Sequence, residues 1–206
     1  SHWLHPQIAD ALGHRWHDAI DVVTTHEPDV LGTGGGLRGL VKALPPPPHE
    51  KVIVMNADAL IDVDLGALID AGAAHADAIA TLVLKEVPDV DKYGALGTDE
   101  NDVVTDFAGR AHTGRVVRRR MFCGIHLVDP RAFTILPDVD VAGGVARGTQ
   151  SGINDEGYPV WMKRGELVRA FDFASTFCDV GTPERLLEAN LRVLDGTWPS
   201  THLQPF

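Results

Sequence analysis

The sequence predicts an α/β fold in which a mostly parallel sheet is flanked by helices, with added short strands in the second half of the chain. Two observations carry this prediction. Apolar, β-branched runs alternate with helical patterns in the first half, and short strand-like segments joined by turns fill the second half. Because right-handed crossovers join strands that alternate with helices, such a pattern produces a parallel sheet covered on both faces.

The elements of the first half are predicted from hydrophobic periodicity and from composition. Continuous apolar runs rich in β-branched residues are typical of buried parallel strands, and apolar residues at helical spacing indicate helices. The glycine-rich segment His26–Gly36 is predicted to be a loop. The predicted helices are Pro6–His14, Leu37–Leu44 and Leu65–Ala76, and the predicted strands are Ile20–Thr25, Lys51–Asn56 and Ala78–Val87.

The second half is predicted to add a hairpin, two longer strands and a terminal helix. Ala95–Thr98 and Val103–Phe107 flank an Asp-Glu-Asn-Asp turn, which is a hairpin pattern. Met121–Val128 and Val168–Phe173 are predicted to be further strands. The amphipathic segment Glu184–Leu194 is predicted to be a helix, with Pro183 at its start. Neither an internal repeat nor a linker divides the sequence, so we predict a single domain over residues 1–206.

Composition and charge narrow the range of partners. The net charge of −11 argues against a nucleic-acid partner, which requires a basic surface. The basic run Arg115–Arg120 fits either a solvent-facing strand edge or loop, or a phosphate site. No segment has the length and apolarity of a membrane span and the N-terminus has no signal-peptide pattern, so no membrane partner is predicted. The two cysteines, Cys123 and Cys178, fit a reducing cytoplasm.

Two segments of the first half carry residues suited to ligand binding. Leu31–Leu37 holds four glycines just before a predicted helix, where exposed backbone N–H groups favour an anion; a flexible turn is the alternative. Asp58 directly follows the strand Lys51–Asn56, and ligands of α/β sheets bind beyond the carboxyl ends of strands. A carboxylate there suits Mg²⁺, or it caps a turn. Asp64 precedes a helix and is predicted to be its N-cap.

Two later segments are weaker on their own. Tyr93 and Gly94 lead into a short strand, and Asp179 ends an apolar run just before a helix that Gly181 or Thr182 would cap. An acidic residue at such a corner is a candidate metal ligand. A glycine pattern at positions 34, 36 and 39 matches a dinucleotide-binding fingerprint, but no strand directly precedes it, so that fold is not favoured.

Taken together and in order, five segments resemble motifs of the sugar-1-phosphate nucleotidyltransferases of the mannose-1-phosphate guanylyltransferase-like type. They cover the chain from Ser1 to about Leu194, with Ala57 in place of a usual glycine. The segments are LGTGGGLR, similar to a base-binding loop; VIVMNAD, similar to a strand ending in Asn-Gly-Asp; DKYGAL, similar to a sugar-site strand; FCGIHLVDPRAF; and CDVGTPERLLEAN, similar to the family signature.

The resemblance implies a Rossmann-like nucleotidyltransferase sheet and an enzyme that joins a nucleoside triphosphate to a sugar 1-phosphate, giving an NDP-sugar and pyrophosphate. It implies Mg²⁺ as cofactor. The site residues that it implies are Asp58 and Asp179 as catalytic residues and metal ligands; Gly32, Thr33, Gly34 and Asp58 for the nucleotide; and Tyr93, Gly94 and Gly124 for the sugar.

Two departures from the family pattern bear on activity. The G-x-G-T-R segment that opens the family, and that would cradle the triphosphate, has no counterpart in the 206 residues. The alternative to an active transferase is therefore a truncated or degenerate homologue that binds a nucleotide sugar without turnover. Ala108-Gly109-Arg110 stands where the family often has Glu-Lys-Pro, as in branches that resemble mannose-, heptose- or muramic-acid-phosphate enzymes. GTP and UTP both remain open as substrates, with guanine favoured, and a homo-oligomer is compatible with the sequence.

Overall fold

The computed structural model describes residues 1–16, 19–47 and 50–198. The helices are α1 (His5–Leu12), α2 (Gly32–Ala43), α3 (Leu65–Ala74), α4 (Tyr158–Lys163) and α5 (Pro183–Leu194). The strands are β1 (Arg15–Trp16), β2 (Ile20–Asp21), β3 (Val52–Met55), β4 (Ala59–Ile61), β5 (Ala80–Lys85), β6 (Leu96–Thr98), β7 (Val104–Phe107), β8 (Arg118–Val128), β9 (Val139–Ala142), β10 (Val145–Gly148), β11 (Val168–Asp172) and β12 (Phe177–Asp179).

The chain forms two compact units. The first consists of Ser1–Val52 with Asp129–Arg164, and the second of Ile53–Val128 with the residues from Gly165 onward. The prediction of a single domain over residues 1–206 stays a prediction. In the part of the chain that the structure describes, no helix is long and apolar enough to cross a bilayer.

The second unit is built on a mixed sheet. Its strand order is β11–β5–β8–β6–β7, and β3 also pairs with β8. β5 runs parallel to β11, whereas β8 runs antiparallel to both β5 and β6. The α/β class is confirmed, but the sheet is mixed rather than mostly parallel. The reason is that the long strand β8, which follows the β6–β7 hairpin, enters the middle of the sheet in the opposite direction.

Helix α3 covers this sheet. It begins where predicted, because the Asp64 carboxylate accepts a hydrogen bond of 3.0 Å from the Ala67 N–H and so caps the first turn. Gly72 lies so close to Leu127 of β8 that a Cβ at this position would overlap the leucine side chain. The core below the helix contains Leu68, Val83, Met121, Cys123, Ile125, Leu127 and Phe173.

The basic run Arg115–Arg120 is not uniformly solvent-facing. Arg120 is fully buried, and its guanidinium donates to the Thr98 hydroxyl and to the Asp102 carboxylate, each at 2.7 Å. Although partial burial of Asp102 opposes its ionisation, the hydrogen bonds and charges of Arg120 and Arg118 hold the pKa of this carboxyl below its ordinary value. The solvent-facing interpretation is therefore wrong for Arg120, because this side chain is buried. A buried guanidinium is tolerated where carboxylates pair with it, as Asp102 does here.

In the first unit, α2 packs against the antiparallel β9–β10 hairpin. Leu31, Val139 and Ala146 form its buried cluster. The predicted loop His26–Gly36 is wrong for its last part, since α2 begins at Gly32 and contains the glycines. The predicted strand Ile20–Thr25 is also shorter than expected, and is confined to Ile20–Asp21.

Candidate active site

The second unit contains an open cavity of roughly 210 Å³ beside the ends of several strands. Its walls come from the turn between β3 and β4, from the short 3₁₀ turn Val90–Tyr93, and from β8 and β12. The residues that line it are Asn56, Asp58, Ala59, Tyr93, Met121, Phe122, Cys123, Gly124, Phe177 and Asp179. Four of the residues predicted from the sequence to form the site therefore share one cavity.

Strand pairing brings the two predicted metal ligands together. β4 and β12 pair antiparallel, with Ala59 opposite Asp179. The backbone N–H of Val180 then donates to the carbonyl oxygen of Asp58 at 2.8 Å. Asp58 and Asp179 thus sit at adjacent ends of two paired strands, although they are distant in the sequence.

Gly181 keeps a space open between the two carboxylates. A Cβ on this glycine would lie 3.0 Å from Asp179 Oδ1 and 3.4 Å from Asp58 Oδ2. Of the residues that the structure describes, no others apart from the chain neighbours of Gly181 place an atom within 4 Å of that point. The carboxylates of Asp58, in the turn before β4, and of Asp179, at the end of β12, therefore face one small space that any side chain at position 181 would fill.

The Asp179 carboxylate is held through both of its oxygens. Oδ1 accepts a hydrogen bond of 2.8 Å from the Gly181 N–H, and Oδ2 forms an ion pair of 2.5 Å with Arg185 Nη1. Thr182 is the N-cap of α5, since its hydroxyl accepts from the Arg185 N–H at 3.3 Å. The segment after Asp179 thus fixes the orientation of its carboxylate, while the side chain stays 46% exposed and accessible to a ligand.

The donor set of the cavity fits Mg²⁺ bound together with phosphates. Among the residues with described placement, there is no group of three or more His, Cys, Asp or Glu side chains able to hold a metal without other ligands. Mg²⁺ prefers oxygen ligands and is usually held by one or two carboxylates, with waters and substrate phosphates completing its octahedron. The Asp58 and Asp179 carboxylates and the space at Gly181 match that requirement.

The predicted sugar-site glycines have structural reasons of their own. Gly124 has a φ of +73° and a Cβ there would lie 2.7 Å from the Asn56 side-chain nitrogen, so both conformation and packing require glycine. Gly94 has a φ of +71°, with the Ala108 Cβ 3.9 Å from the Cβ position. Of the three predicted residues, Tyr93 and Gly124 line the cavity, and Gly94 directly follows Tyr93. Their contact with a sugar stays a prediction.

The thiol in the cavity wall is not a nucleophile at neutral pH. Burial raises the pKa of Cys123 to about 12, despite the opposing charge of Lys85. Only a thiolate reacts readily, and this thiol stays protonated. The chemistry that the cavity suits is therefore the binding and orientation of charged groups by its carboxylates.

The predicted nucleotide loop lies in the first unit, at the start of α2. Gly32 has a φ of +72°, and a Cβ there would lie 2.5 Å from the Ser151 carbonyl oxygen. The Gly34 N–H donates to that oxygen at 2.9 Å, and the Thr33 hydroxyl accepts from the Ile153 N–H at 3.1 Å. The loop is thus tied to the Ser151–Ile153 segment. Its role in nucleotide binding stays a prediction.

Among the contributors to the site that were not predicted from the sequence are Phe122, Phe177 and Arg185. Phe122 and Phe177 form part of the apolar wall of the cavity, and Arg185 pairs with Asp179. Arg185 had a usable signal, because it lies in the first turn of a helix that starts four residues after Asp179. The phenylalanines had none, since an aromatic residue in a strand is more often a core residue than a cavity wall.

The fold and cavity define an α/β protein whose acidic cavity lies at the ends of paired strands. Residues 4–196 match the family described as nucleotidyl transferase. The chain belongs to this family, and the resemblance inferred from its five sequence motifs is confirmed.

Relatives of this chain include two mannose-1-phosphate guanylyltransferases. The catalytic subunit beta of Drosophila melanogaster is 26% identical over 168 residues, covering 82% of this chain and 42% of that protein. The Mycobacterium tuberculosis protein is 26% identical over 186 residues, covering 90% of this chain and 47% of that protein. This chain therefore spans less than half the length of these relatives.

A solved structure shares the fold. HddC from Yersinia pseudotuberculosis, crystallised with GMP-PN, superposes with a TM-score of 0.64 at 21% identity, covering 93% of this chain and 75% of that one. At this level of identity the similarity establishes the fold alone.

Proposed function

We propose that the protein is a sugar-1-phosphate nucleotidyltransferase, which joins a nucleoside triphosphate to a sugar 1-phosphate to give an NDP-sugar and pyrophosphate. The observation that carries the proposal is the pair of carboxylates, Asp58 and Asp179, facing one space in a cavity. In the proposed reaction an oxygen of the sugar phosphate forms a bond to the α-phosphorus, and the bond between that phosphorus and the departing pyrophosphate breaks.

In this proposal, some residues of the cavity bind a cation and others contact the sugar. Asp58 and Asp179 supply negative oxygen ligands next to the space at Gly181, with Asp179 oriented by the Gly181 N–H. Tyr93, which is 55% exposed, offers a ring and a hydroxyl to a sugar at the cavity wall, and the backbone at Gly124 forms another side of the same space. Phosphoryl chemistry of this kind depends on positioning and charge neutralisation rather than on a protein nucleophile.

Mg²⁺ is the proposed cofactor, with Asp58 and Asp179 as the residues that would hold it. When bound, such an ion neutralises phosphate charge and orients the phosphates. The proposed substrates carry the additional oxygen ligands that a two-carboxylate site lacks.

The nucleotide is proposed to contact Gly32, Thr33 and Gly34. Thr33 is exposed at the start of α2, and a helix N-terminus favours a negatively charged ligand. GTP is favoured over UTP because the two relatives compared above are guanylyltransferases. By the same reasoning mannose 1-phosphate is the first sugar phosphate to test. The cytoplasm is the proposed compartment, because the two cysteines, Cys123 and Cys178, fit a reducing environment. A homo-oligomer remains a proposal.

Pyrophosphate release by the full-length protein tests the proposed activity. We expect Mg²⁺-dependent release with GTP or UTP only when a sugar 1-phosphate is present, since the sugar phosphate is the attacking group. Asp58→Asn and Asp179→Asn are each expected to lower the rate by about 100-fold, comparable to removing one preorganised charge-stabilising group.

Two outcomes would count against this activity. Pyrophosphate release that is independent of the sugar phosphate would indicate a hydrolase. If no pair of nucleotide and sugar phosphate reacts while nucleotide sugars still bind, the protein is a nucleotide-sugar-binding homologue without turnover.

A further inference from the structure

Arg185 occupies a position next to the proposed metal site that has no assigned role. It lies in the first turn of α5, and its Nη1 is 2.5 Å from Asp179 Oδ2. Both side chains are about half exposed, so the pair is accessible to solvent and ligands. An exposed ion pair of this kind adds little to stability. Its placement beside two carboxylates therefore suggests an electrostatic role.

The two oxygens of Asp179 are used differently. Oδ1 is the oxygen that lies 3.0 Å from the point between the carboxylates, and it accepts from the Gly181 N–H. Oδ2 lies more than 4 Å from that point and pairs with Arg185. Arg185 therefore pairs with the Asp179 oxygen that is farther from the shared space and leaves Oδ1 next to that space.

We propose, resting on the metal site of the proposed function, that Arg185 is a positioning residue which weakens the binding of a free divalent cation by the Asp58 and Asp179 carboxylates. A guanidinium a few ångströms from the cation position repels the ion and offsets one of the two negative charges that attract it. A cation that binds weakly to the free protein enters together with substrate phosphates, which supply both charge and ligands. Arg185 thus couples metal binding to substrate binding.

Removal of the Arg185 charge is expected to tighten metal binding. In Arg185→Gln the Gly181 N–H still orients Oδ1, so the loss of repulsion outweighs the loss of one hydrogen bond. At low ionic strength we expect the affinity for free Mn²⁺ to rise by at least about tenfold, because Coulomb's law with the dielectric of bulk water already gives this effect for a unit charge about 6 Å from a divalent ion. High salt should shrink this difference, because exposed charges are screened. A purely structural role of Arg185 could only lower the affinity.

Titration of the chain with Mn²⁺, followed by the electron paramagnetic resonance signal of the free ion, measures this affinity. Arg185→Lys keeps the charge and is expected to bind Mn²⁺ as the wild type does. Arg192→Gln is the matched control, since it removes the same charge from the same helix two turns further on, where Arg192 stacks on Trp198 at 5.2 Å. Thermal unfolding of each variant verifies that it is folded.

The outcomes separate this inference from the proposed function. If Asp58→Asn abolishes Mn²⁺ binding and Arg185→Gln tightens it, both stand. If binding depends on Asp58 but Arg185→Gln binds Mn²⁺ equally or more weakly, the role of Arg185 is overturned while the metal site survives. If Mn²⁺ binding is absent in Arg185→Gln as well as in the wild type, or does not depend on Asp58, both are overturned.

Discussion

Replacement of Asp58 by Asn is expected to remove most of the Mg²⁺-dependent stabilisation that a nucleotide sugar gives the protein. Asp58 Oδ2 faces the space next to Gly181, and an amide there provides neither the charge nor the second anionic oxygen of a carboxylate. A ligand at 100 times its Kd stabilises the folded state by about 2.7 kcal/mol. If the affinity falls by about 100-fold, the stabilisation falls to about 0.4 kcal/mol.

Thermal unfolding with GDP-mannose, in the presence and absence of Mg²⁺, measures this effect. Asp62→Asn is the matched control, because Asp62 is an acidic residue of the same segment that does not line the cavity. Without ligand, Asp58→Asn should be at least as stable as the wild type, since two neighbouring carboxylates no longer repel each other. An equal Mg²⁺-dependent shift in wild type and Asp58→Asn would contradict a role of Asp58 in metal binding.

Replacement of Gly124 by Ala is expected to be among the most destabilising single changes in the cavity wall. A φ of +73° strains alanine by about 1–2 kcal/mol. The new Cβ would also lie 2.7 Å from the Asn56 side chain, and forced repacking of this kind typically adds about 1–3 kcal/mol. We therefore expect a loss of about 3 kcal/mol in the free energy of unfolding, measured by denaturant titration.

Gly109 provides a control that isolates the contact with Asn56. Its φ is +74° and no atom lies within 4 Å of its Cβ position. Gly109→Ala should therefore report the conformational strain alone, about 1 kcal/mol once the stiffer unfolded chain is counted. The double variant Asn56→Ala with Gly124→Ala should be less destabilised than the sum of the single variants, because the two residues touch. Equal losses at positions 109 and 124 would show that the Asn56 contact is unimportant.

The parts of the fold that were predictable from the sequence depend on local interactions. The N-caps Asp64 and Thr182 each bond a backbone N–H three residues further on, so both were identifiable from the sequence. The β6–β7 hairpin is likewise formed by neighbouring segments joined through a polar turn. Such features need no knowledge of distant residues.

The parts that were not predictable depend on contacts between distant segments. Glycine disfavours helix, yet Gly32–Gly36 is helical, and at Gly32 and Gly34 a Cβ would lie 2.5 and 2.7 Å from atoms of the distant residue Ser151. The burial of Arg120 was not predictable from its own segment, because its carboxylate partner Asp102 lies in the turn between β6 and β7. The antiparallel pairing of β8 with β5 was not predictable for the same reason: it depends on segments that are distant in the sequence. An alternation of strands and helices does not specify where a later strand is inserted into the sheet.

The candidate site also has features that were predictable from local sequence and features that depend on contacts between distant segments. Asp58 and Asp179 were named from their positions after apolar runs and from motif resemblance, and the structure places both in one cavity. The space at Gly181 and the pairing of Arg185 with Asp179 arise only when β4 and β12 pair. A sequence can therefore indicate which carboxylates to examine, whereas the separation between them requires the fold.

The central claim is that Asp58 and Asp179 together hold a divalent cation against the phosphates of a nucleotide sugar. Crystals grown with GDP-mannose and Mn²⁺, measured at a wavelength where manganese scatters anomalously, test this claim most directly. We predict one anomalous peak beside Gly181, bound to an oxygen of each carboxylate directly or through one water, and in contact with the phosphates. A bound nucleotide sugar with Mn²⁺ elsewhere, or with no ion between Asp58 and Asp179, would contradict the claim.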